Sequence, residues 1–303
     1  MTKRNVLAVV LWMIGTLVSF SATAVGVRAL SRTLAVSEIL ALRNAAGIAI
    51  LLALAVPQPA LRANLWPRRF PLHLVRNVVH FGATYAWALG ITLLPLATVF
   101  ALEFTLPIWV ALLAVVFLRE RLTGTRVASI ALGFAGVLVV LRPGIESLQV
   151  GAFVVLGAAF GFAVTTIATK TLTRTETTFS ILLWMNLIQL PLNWAGATAG
   201  AMIGRGAGFP DAALGFMARL DGSHVLPLVG VCVGGLSSHW CLTNAYRHGD
   251  AVMVVPLDFL RLPLIAFVGW YLYNEALDPF VFIGSALIVA GILWNLRAEA
   301  RRG

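Results

Sequence analysis

Residues 98–142 of this chain recur, 155 positions later, as residues 253–297. The aligned residues agree in chemical type as well as in hydrophobicity. Among the aligned pairs are Leu102 with Leu257, Glu103 with Asp258, Phe104 with Phe259, Glu120 with Glu275, Gly136 with Gly291 and Arg142 with Arg297. Because agreement at acidic, small and basic positions rarely arises by chance, the sequence predicts an internal duplication and a fold built from two similar halves.

The composition indicates that this fold is surrounded by lipid. The 303 residues are 60% hydrophobic and 11% charged, with a mean hydropathy of +0.92. This leaves too little polar surface to cover a water-soluble globule. The apolar runs are long and continuous, which favours helices over barrel strands, since those are short and alternate in polarity. We therefore predict an all-α integral membrane protein.

Apolar runs of about 20 residues, the length needed to cross a bilayer core, predict ten transmembrane helices. They cover residues 6–27, 34–56, 73–94, 97–118, 124–141, 149–170, 177–200, 225–246, 251–273 and 277–296. The first run is too long for the apolar part of a cleaved signal and is interpreted as a true span. Each half has five helices, and because five is odd, the second half must enter the membrane inverted relative to the first.

The net charge of +10 indicates an orientation in the membrane rather than a nucleic-acid site. With the amino terminus inside, fourteen Lys and Arg residues flank the inner helix ends and five flank the outer ends. This bias places both termini in the cytoplasm and predicts no nucleic-acid partner. Cys232 and Cys241 both lie in the eighth predicted helix, so neither a disulfide nor a metal site is predicted.

Two runs within the duplicated segments resemble a known family. They are PIWVALLAVVFLRERLTGTRVASIALGFAGVLVVLRPG, which begins at Pro107, and PLIAFVGWYLYNEALDPFVFIGSALIVAGILWNLRAE, which begins at Pro263. Each has an apolar helix that ends in Arg-Glu or Asn-Glu, a short turn, and a small-residue helix that closes in Leu-Arg. They are similar to the two EamA repeats of the drug/metabolite transporter superfamily, and in general likeness the chain resembles its aromatic-amino-acid-exporter-like members.

This resemblance implies a first EamA repeat at residues 5–144 (helices 1–5) and a second at residues 149–297 (helices 6–10). It implies ten transmembrane helices as two inverted five-helix repeats around a central cavity, in the cytoplasmic (inner) membrane. The expected function is secondary transport, in the outward direction, of small organic metabolites such as amino acids, by alternating access. The alternative is an importer of a nucleotide-like metabolite such as S-adenosylmethionine.

The sequence has no motif of an ATPase or a hydrolase, since Walker, HExxH and GxSxG patterns are missing from it. We therefore expect no enzyme, no cofactor and transport driven by solute or ion gradients, with a small-molecule substrate and the lipid bilayer as partners. An intramembrane enzyme and a non-transporting membrane subunit are the remote alternatives. A homodimer is left open.

Ionisable residues inside the predicted helices, Arg76 and Arg261 among them, are the first candidates for substrate binding, because a charge at mid-membrane costs at least about 2.5–3.5 kcal/mol on insertion scales. Glu103 and Asp258 occupy equivalent positions and would lie at similar depth between the halves. They either bind a substrate ammonium or a coupling proton, or are neutralised by arginines as helix ties. In the second case Asp258 would pair with Arg261, and Glu103 with Arg43 or Arg76.

Two histidines and two aromatic residues complete the predicted binding residues. His80 and His239 lie in equivalent helices, one turn apart in register, and either titrate during transport or act as hydrogen-bonded ties. Tyr85 aligns with Trp240, and the two rings either stack on the substrate in the cavity or fill gaps between helices.

Three residues are predicted to be structural. Glu120 and Glu275 each lie where one predicted helix ends and the next begins, so each carboxylate can accept hydrogen bonds from the first turn of the next helix. Pro107 has no N–H for the carbonyl of Glu103, four residues back, and a kink is expected there.

Overall fold

The computed structural model describes residues 6–94, 96–142, 150–206, 208–273 and 279–300, and in these ranges the chain is helical without any strand. The α-helices are α1 (Val6–Leu30), α2 (Val36–Ala55), α3 (Pro59–Arg62), α4 (Phe70–Leu93), α5 (Leu96–Glu103), α6 (Leu106–Leu113), α7 (Gly124–Leu141), α8 (Val150–Leu172), α9 (Thr178–Arg205), α10 (Phe209–Leu214), α11 (Val225–His248), α12 (Ala251–Val254), α13 (Arg261–Tyr273) and α14 (Pro279–Ala300). A π-helical turn, Ala114–Leu118, extends α6, and a 3₁₀ segment, Val255–Leu260, joins α12 to α13. The all-α prediction is confirmed.

Eight helical segments of the described chain are long and apolar enough to cross a membrane. They are Val6–Leu30, Val36–Ala55, Thr98–Leu118, Gly124–Leu141, Val150–Leu172, Gly222–His248, Ala251–Leu272 and Pro279–Ala298. The other two predicted spans correspond to α4 and α9, which have 24 and 28 residues and are not among these eight. The count of ten spans therefore stays a prediction.

Two predicted spans are interrupted helices rather than continuous ones. The span predicted at 97–118 is divided between α5 and α6, and Pro107 lies in the first turn of α6. The span predicted at 251–273 contains the 3₁₀ segment, with Pro256 in its first turn. A proline cannot donate to the carbonyl four residues back, so each helix loses an internal bond at this level. Glu103 ends α5 and Asp258 lies within the 3₁₀ segment, so both acids lie at interruptions.

The helices pack in reciprocal pairs. The order of the five predicted helices in each half makes α1 equivalent to α8, α4 to α11, α2 to α9 and α7 to α14. In the structure α1 packs along α11 and α4 along α8, while α2 packs on α9 and α7 on α14. The α1–α11 and α8–α4 contacts are therefore counterparts of each other, whereas the α2–α9 and α7–α14 contacts each join two equivalent helices. The α7–α14 contact is very close, because a Cβ built on Gly136 would lie 2.5 Å from the carbonyl oxygen of Gly284.

The largest buried apolar cluster closes one end of the bundle. It includes Val9 and Met13 of α1, Val110 of α6, and the run Ala251–Val255, all nearly or fully buried. We call this the α12 end of the bundle. The bundle is thus tightly packed at the α12 end, next to a more polar middle.

Candidate functional site

A cavity of about 290 Å³ lies in the middle of the bundle, between the two halves. Its polar lining residues come from α2, α4, α5, α8, α9, α11 and the interrupted ninth span. They are Arg43, Arg76, His80, Thr84, Glu103, Thr165, Thr166, Thr169, Gln189, Asn193, His239, Thr243, Tyr246, Asp258 and Arg261. A second lobe of about 170 Å³ shares Arg43, His239 and Asp258 with the first, so the space continues toward α1 and α11. The volume is in the lower range of small-molecule sites.

The two acids of the interrupted helices are joined by one arginine. Nη2 of Arg261 lies 3.0 Å from Oε1 of Glu103 and 3.4 Å from Oδ2 of Asp258. The predicted pair of Asp258 with Arg261 is therefore present. The predicted partner of Glu103, Arg43 or Arg76, is wrong, because the two helix interruptions bring the end of α5 next to the start of α13.

Further contacts hold this ion-pair cluster in place. Nε1 of Trp87 donates to the other oxygen of Glu103 at 2.8 Å. The guanidinium carbon of Arg261 lies 4.9 Å from the ring centre of Phe20 and 5.2 Å from that of Phe104. Such cation–π contacts stabilise a charge that is largely removed from water. The cluster therefore ties the halves together while both acids still face the cavity.

The cavity lining also contains two arginines without a carboxylate partner, Arg43 on α2 and Arg76 on α4. Nε of Arg76 donates to Oγ1 of Thr169 at 2.8 Å, and its Nη1 donates to Oδ1 of Asn77 at 2.6 Å. Gln189 reaches the same Asn77 oxygen with its amide nitrogen, at 3.3 Å. Within the described parts of the chain neither Arg43 nor Arg76 forms an ion pair.

Both predicted histidines face the cavity from neighbouring helices. The ring centres of His80 on α4 and His239 on α11 lie 6.5 Å apart, at an interplanar angle of 79°. Among the described residues no group of His, Cys, Asp and Glu is arranged to hold a metal ion.

The two predicted aromatic residues are placed away from the lining of this cavity. Tyr85 packs on Phe81, with ring centres 4.5 Å apart, and its hydroxyl reaches the backbone of α9 at Gly196. Trp240 packs against the buried cluster around Leu172. The equivalent positions are thus explained by helix packing in this conformation, and the ring pair does not meet across the cavity.

Several lining residues were not singled out from the sequence. Tyr246 is buried on α11 and faces the cavity. Thr165, Thr166 and Thr169 present hydroxyls from α8. Threonines one turn apart in an otherwise apolar helix are a polar stripe, and this pattern could have identified them.

Glu120 binds a helix N-terminus, but a different one from that predicted. Its carboxylate accepts from the N–H groups of Ala251 at 2.9 Å and Val252 at 3.0 Å, at the start of α12 in the other half. Burial raises the pKa of the Glu120 carboxyl, and the two backbone bonds oppose this rise. The next helix, α7, is instead capped by the hydroxyl of Thr123. Glu275 lies outside the described residues.

Two basic residues bind the segment that immediately precedes α12. Nη2 of Arg126 lies 2.8 Å from Oδ2 of Asp250, and the Arg126 side chain is only 1% exposed. Nζ of Lys170 donates to the carbonyl oxygens of Tyr246 and Gly249, at 2.5 Å each. Together with Glu120, these residues form a polar lock between the halves at the α12 end.

The model of the EamA-like transporter family matches residues 7–142 and 149–297. A riboflavin transporter of Rhizobium johnstonii is 30% identical over 230 residues, which are 76% of this chain and 71% of that protein. An S-adenosylmethionine uptake transporter of Rickettsia felis is 24% identical over 230 residues, 76% and 74% of the two chains. A solved structure shares the fold, with a TM-score of 0.75 at 19% identity over 97% of this chain and 98% of the other.

Proposed function

Because the chain belongs to the EamA-like transporter family, we propose that it is a secondary transporter that moves a small organic metabolite through the cavity between its two halves. The observation on which this depends is the cavity itself, which is lined by five charged side chains in the middle of an apolar helix bundle. Charges at this depth are costly, so they are retained for binding or coupling.

The mechanism we propose is alternating access between two inverted five-helix halves, residues 5–144 and 149–297, with ten spans in all. The reciprocal packing of α1 on α11 and of α8 on α4 supports two related halves. The proline interruptions at Glu103 and Asp258 support hinges at the level of the cavity. The charge bias along the chain supports an α12 end that faces the cytoplasm, with both termini on that side of the inner membrane.

We propose that the substrate is a planar, nucleotide-like metabolite, in preference to an amino acid. Relatives named as transporters of riboflavin and of S-adenosylmethionine favour this class. Phe20, Phe81 and Phe162 line the cavity and offer ring faces for stacking. Outward transport of an amino acid, and inward transport of the nucleotide-like compound, remain the two predictions for direction.

The test is flux into proteoliposomes that contain the purified protein, with labelled riboflavin, S-adenosylmethionine and aromatic amino acids, with and without a pH gradient. We expect saturable flux of one class and at least a tenfold loss in Glu103→Gln and Asp258→Asn. Arg174→Gln, which changes an exposed charge in the turn after α8, is the matched control and should transport normally. Flux of none of these solutes above that of protein-free vesicles would count against the proposal.

A further inference from the structure

Building on the proposed transport function, we propose that Arg43 and Arg76 form a subsite for an anionic group of the solute, a carboxylate or a phosphate. The two side chains face the same cavity from α2 and α4, and neither forms an ion pair with the Glu103–Arg261–Asp258 cluster. The two acids of the interrupted helices pair with Arg261, so they do not neutralise the charge of Arg43 or Arg76.

The charge balance of the cavity favours an anionic ligand. Its charged lining consists of three arginines and two carboxylates. Arg261 contacts both carboxylates, at 3.0 and 3.4 Å. Within the described ranges, Arg43 and Arg76 have no acidic side chain at ion-pair distance. A structural arginine in lipid is expected to be paired, so the cavity lining has an excess of positive charge that an anionic solute group would neutralise.

The surroundings of the two arginines hold them in place without neutralising their charge. Arg76 is only 5% exposed, and Thr169 and Asn77 fix its guanidinium by two hydrogen bonds. Both partners are neutral, so they orient the group without cancelling its charge. Arg43 lies against Gly235, where an added Cβ would approach its Cδ to 2.7 Å. The missing side chain at Gly235 makes room for Arg43 beside α11.

The neighbouring groups fit an anion as well. Gln189 and Asn193 of α9 can donate through their amides, and His80 and His239 can donate through a ring N–H in the appropriate tautomer. Two guanidinium groups are well suited to carboxylate and phosphate, because each offers several donors in a fixed plane. A cationic group would meet acids that are already engaged by Arg261, so the anion subsite is the more selective part of the cavity.

Ligand-induced changes in unfolding temperature of the purified protein in lipid nanodiscs provide the test. The probes are two matched pairs, riboflavin with its 5′-phosphate and S-adenosylmethionine with its decarboxylated form, together with acetate and inorganic phosphate at constant ionic strength. The variants are Arg43→Gln and Arg76→Gln, their charge-preserving forms Arg43→Lys and Arg76→Lys, and Arg174→Gln as an exposed control.

We expect the anionic member of at least one pair to bind the wild type at least tenfold more tightly than its partner. Each Gln variant should lose this preference, each Lys variant should retain part of it, and the control should be unchanged. Without ligand, Arg43→Gln should not lower the unfolding temperature, because it removes an uncompensated charge. A ligand-free Arg43→Gln protein that melts well below the control would identify Arg43 as a helix tie and overturn the proposal.

Absence of stabilisation by every anionic probe would overturn it too, as would equal binding of both members of each pair. These outcomes are distinct from failure of the proposed function. Flux of a neutral solute that is unaffected in both Gln variants would leave transport standing and remove the anion subsite. Selective binding of an anion without flux of any solute would retain the subsite and remove the transport proposal.

Discussion

Arg126 and Asp250 join the two halves at the α12 end, and a double-mutant cycle on this pair is the most direct test of the polar lock. Arg126 lies near the start of α7 and donates to Asp250 at 2.8 Å and to the carbonyl oxygen of Arg121 at 2.9 Å. Asp250 immediately precedes α12. The cycle consists of Arg126→Met, Asp250→Asn and the double variant.

The expected magnitudes follow from the exposure of the two partners. Removal of one partner of a buried ion pair costs about 3–5 kcal/mol, because the remaining charge stays desolvated. The side chain of Arg126 is 1% exposed and that of Asp250 is 21% exposed. The carboxylate can therefore regain water in Arg126→Met, for which we expect about 2–3 kcal/mol, whereas Asp250→Asn should cost about 3–5 kcal/mol. Since both changes remove the same contact, the double variant should cost about 1–3 kcal/mol less than their sum.

The assay is reversible unfolding of the protein in mixed micelles, followed by tryptophan fluorescence. The matched control pairs Arg126→Met with Asp221→Asn, at the opposite end of α11. Asp221 precedes α11 and Asp250 follows it, so the 24 residues of this helix separate the two acids by roughly 36 Å. The control cycle should be additive within about 0.5 kcal/mol. Additivity of the Arg126 and Asp250 changes to the same extent would refute the reasoning, since it would mean that their contact contributes nothing.

Three further predictions concern stability at defined contacts, and each is checked by the unfolding midpoint. The raised pKa of Glu120 means that its stabilising contribution is present below the usual value of 4.5 and is lost as pH rises through the raised value. Wild type should therefore lose more stability than Glu120→Gln between acidic and neutral pH, and parallel pH profiles would contradict this. Gly136→Ala should lower the free energy of unfolding by about 1–3 kcal/mol, because the added Cβ overlaps with α14. Gly157→Ala should leave the free energy of unfolding unchanged or raise it slightly, because no atom lies within 4 Å of the added Cβ. Equal effects of the two alanines would exclude close packing as the cause. Glu176→Gln should cost about 1–2 kcal/mol, because its carboxylate accepts two N–H groups at the start of α4, at 2.6 and 3.0 Å; an unchanged midpoint would show that water replaces these bonds.

The charged residues of the candidate site could be predicted from the sequence, because ionisable residues are rare inside membrane-spanning helices. Intramembrane Arg, His, Asp and Glu residues are few, and the cost of each one singles it out. Glu103, Asp258, Arg261, Arg76, His80 and His239 were selected in this way, and all six line one cavity. Tyr85 and Trp240 were selected by equivalence alone, and equivalence in sequence does not determine which face of a helix meets the cavity.

The pairing of charges required the tertiary structure. An i, i+3 spacing on one helix brings Asp258 close to Arg261 whatever the rest of the fold does. The contact of Glu103 with Arg261 joins residues 158 positions apart. It depends on how far the helix interruptions displace α5 toward α13, and no local pattern specifies this distance. For the same reason the carboxylate of Glu120 was assigned to α7, the next helix, although it reaches α12.

The sequence by itself determined that this chain is helical, apolar and duplicated, because hydrophobicity and periodicity are properties of the residues themselves and repeat with them. It also indicated the helix interruption at Pro107, since a proline removes a specific backbone donor wherever it occurs. Only the tertiary structure decided which charges neutralise one another and which two arginines remain without an acid. That outcome depends on distances between helices, and those distances are set by the packing of small and large side chains across the whole bundle.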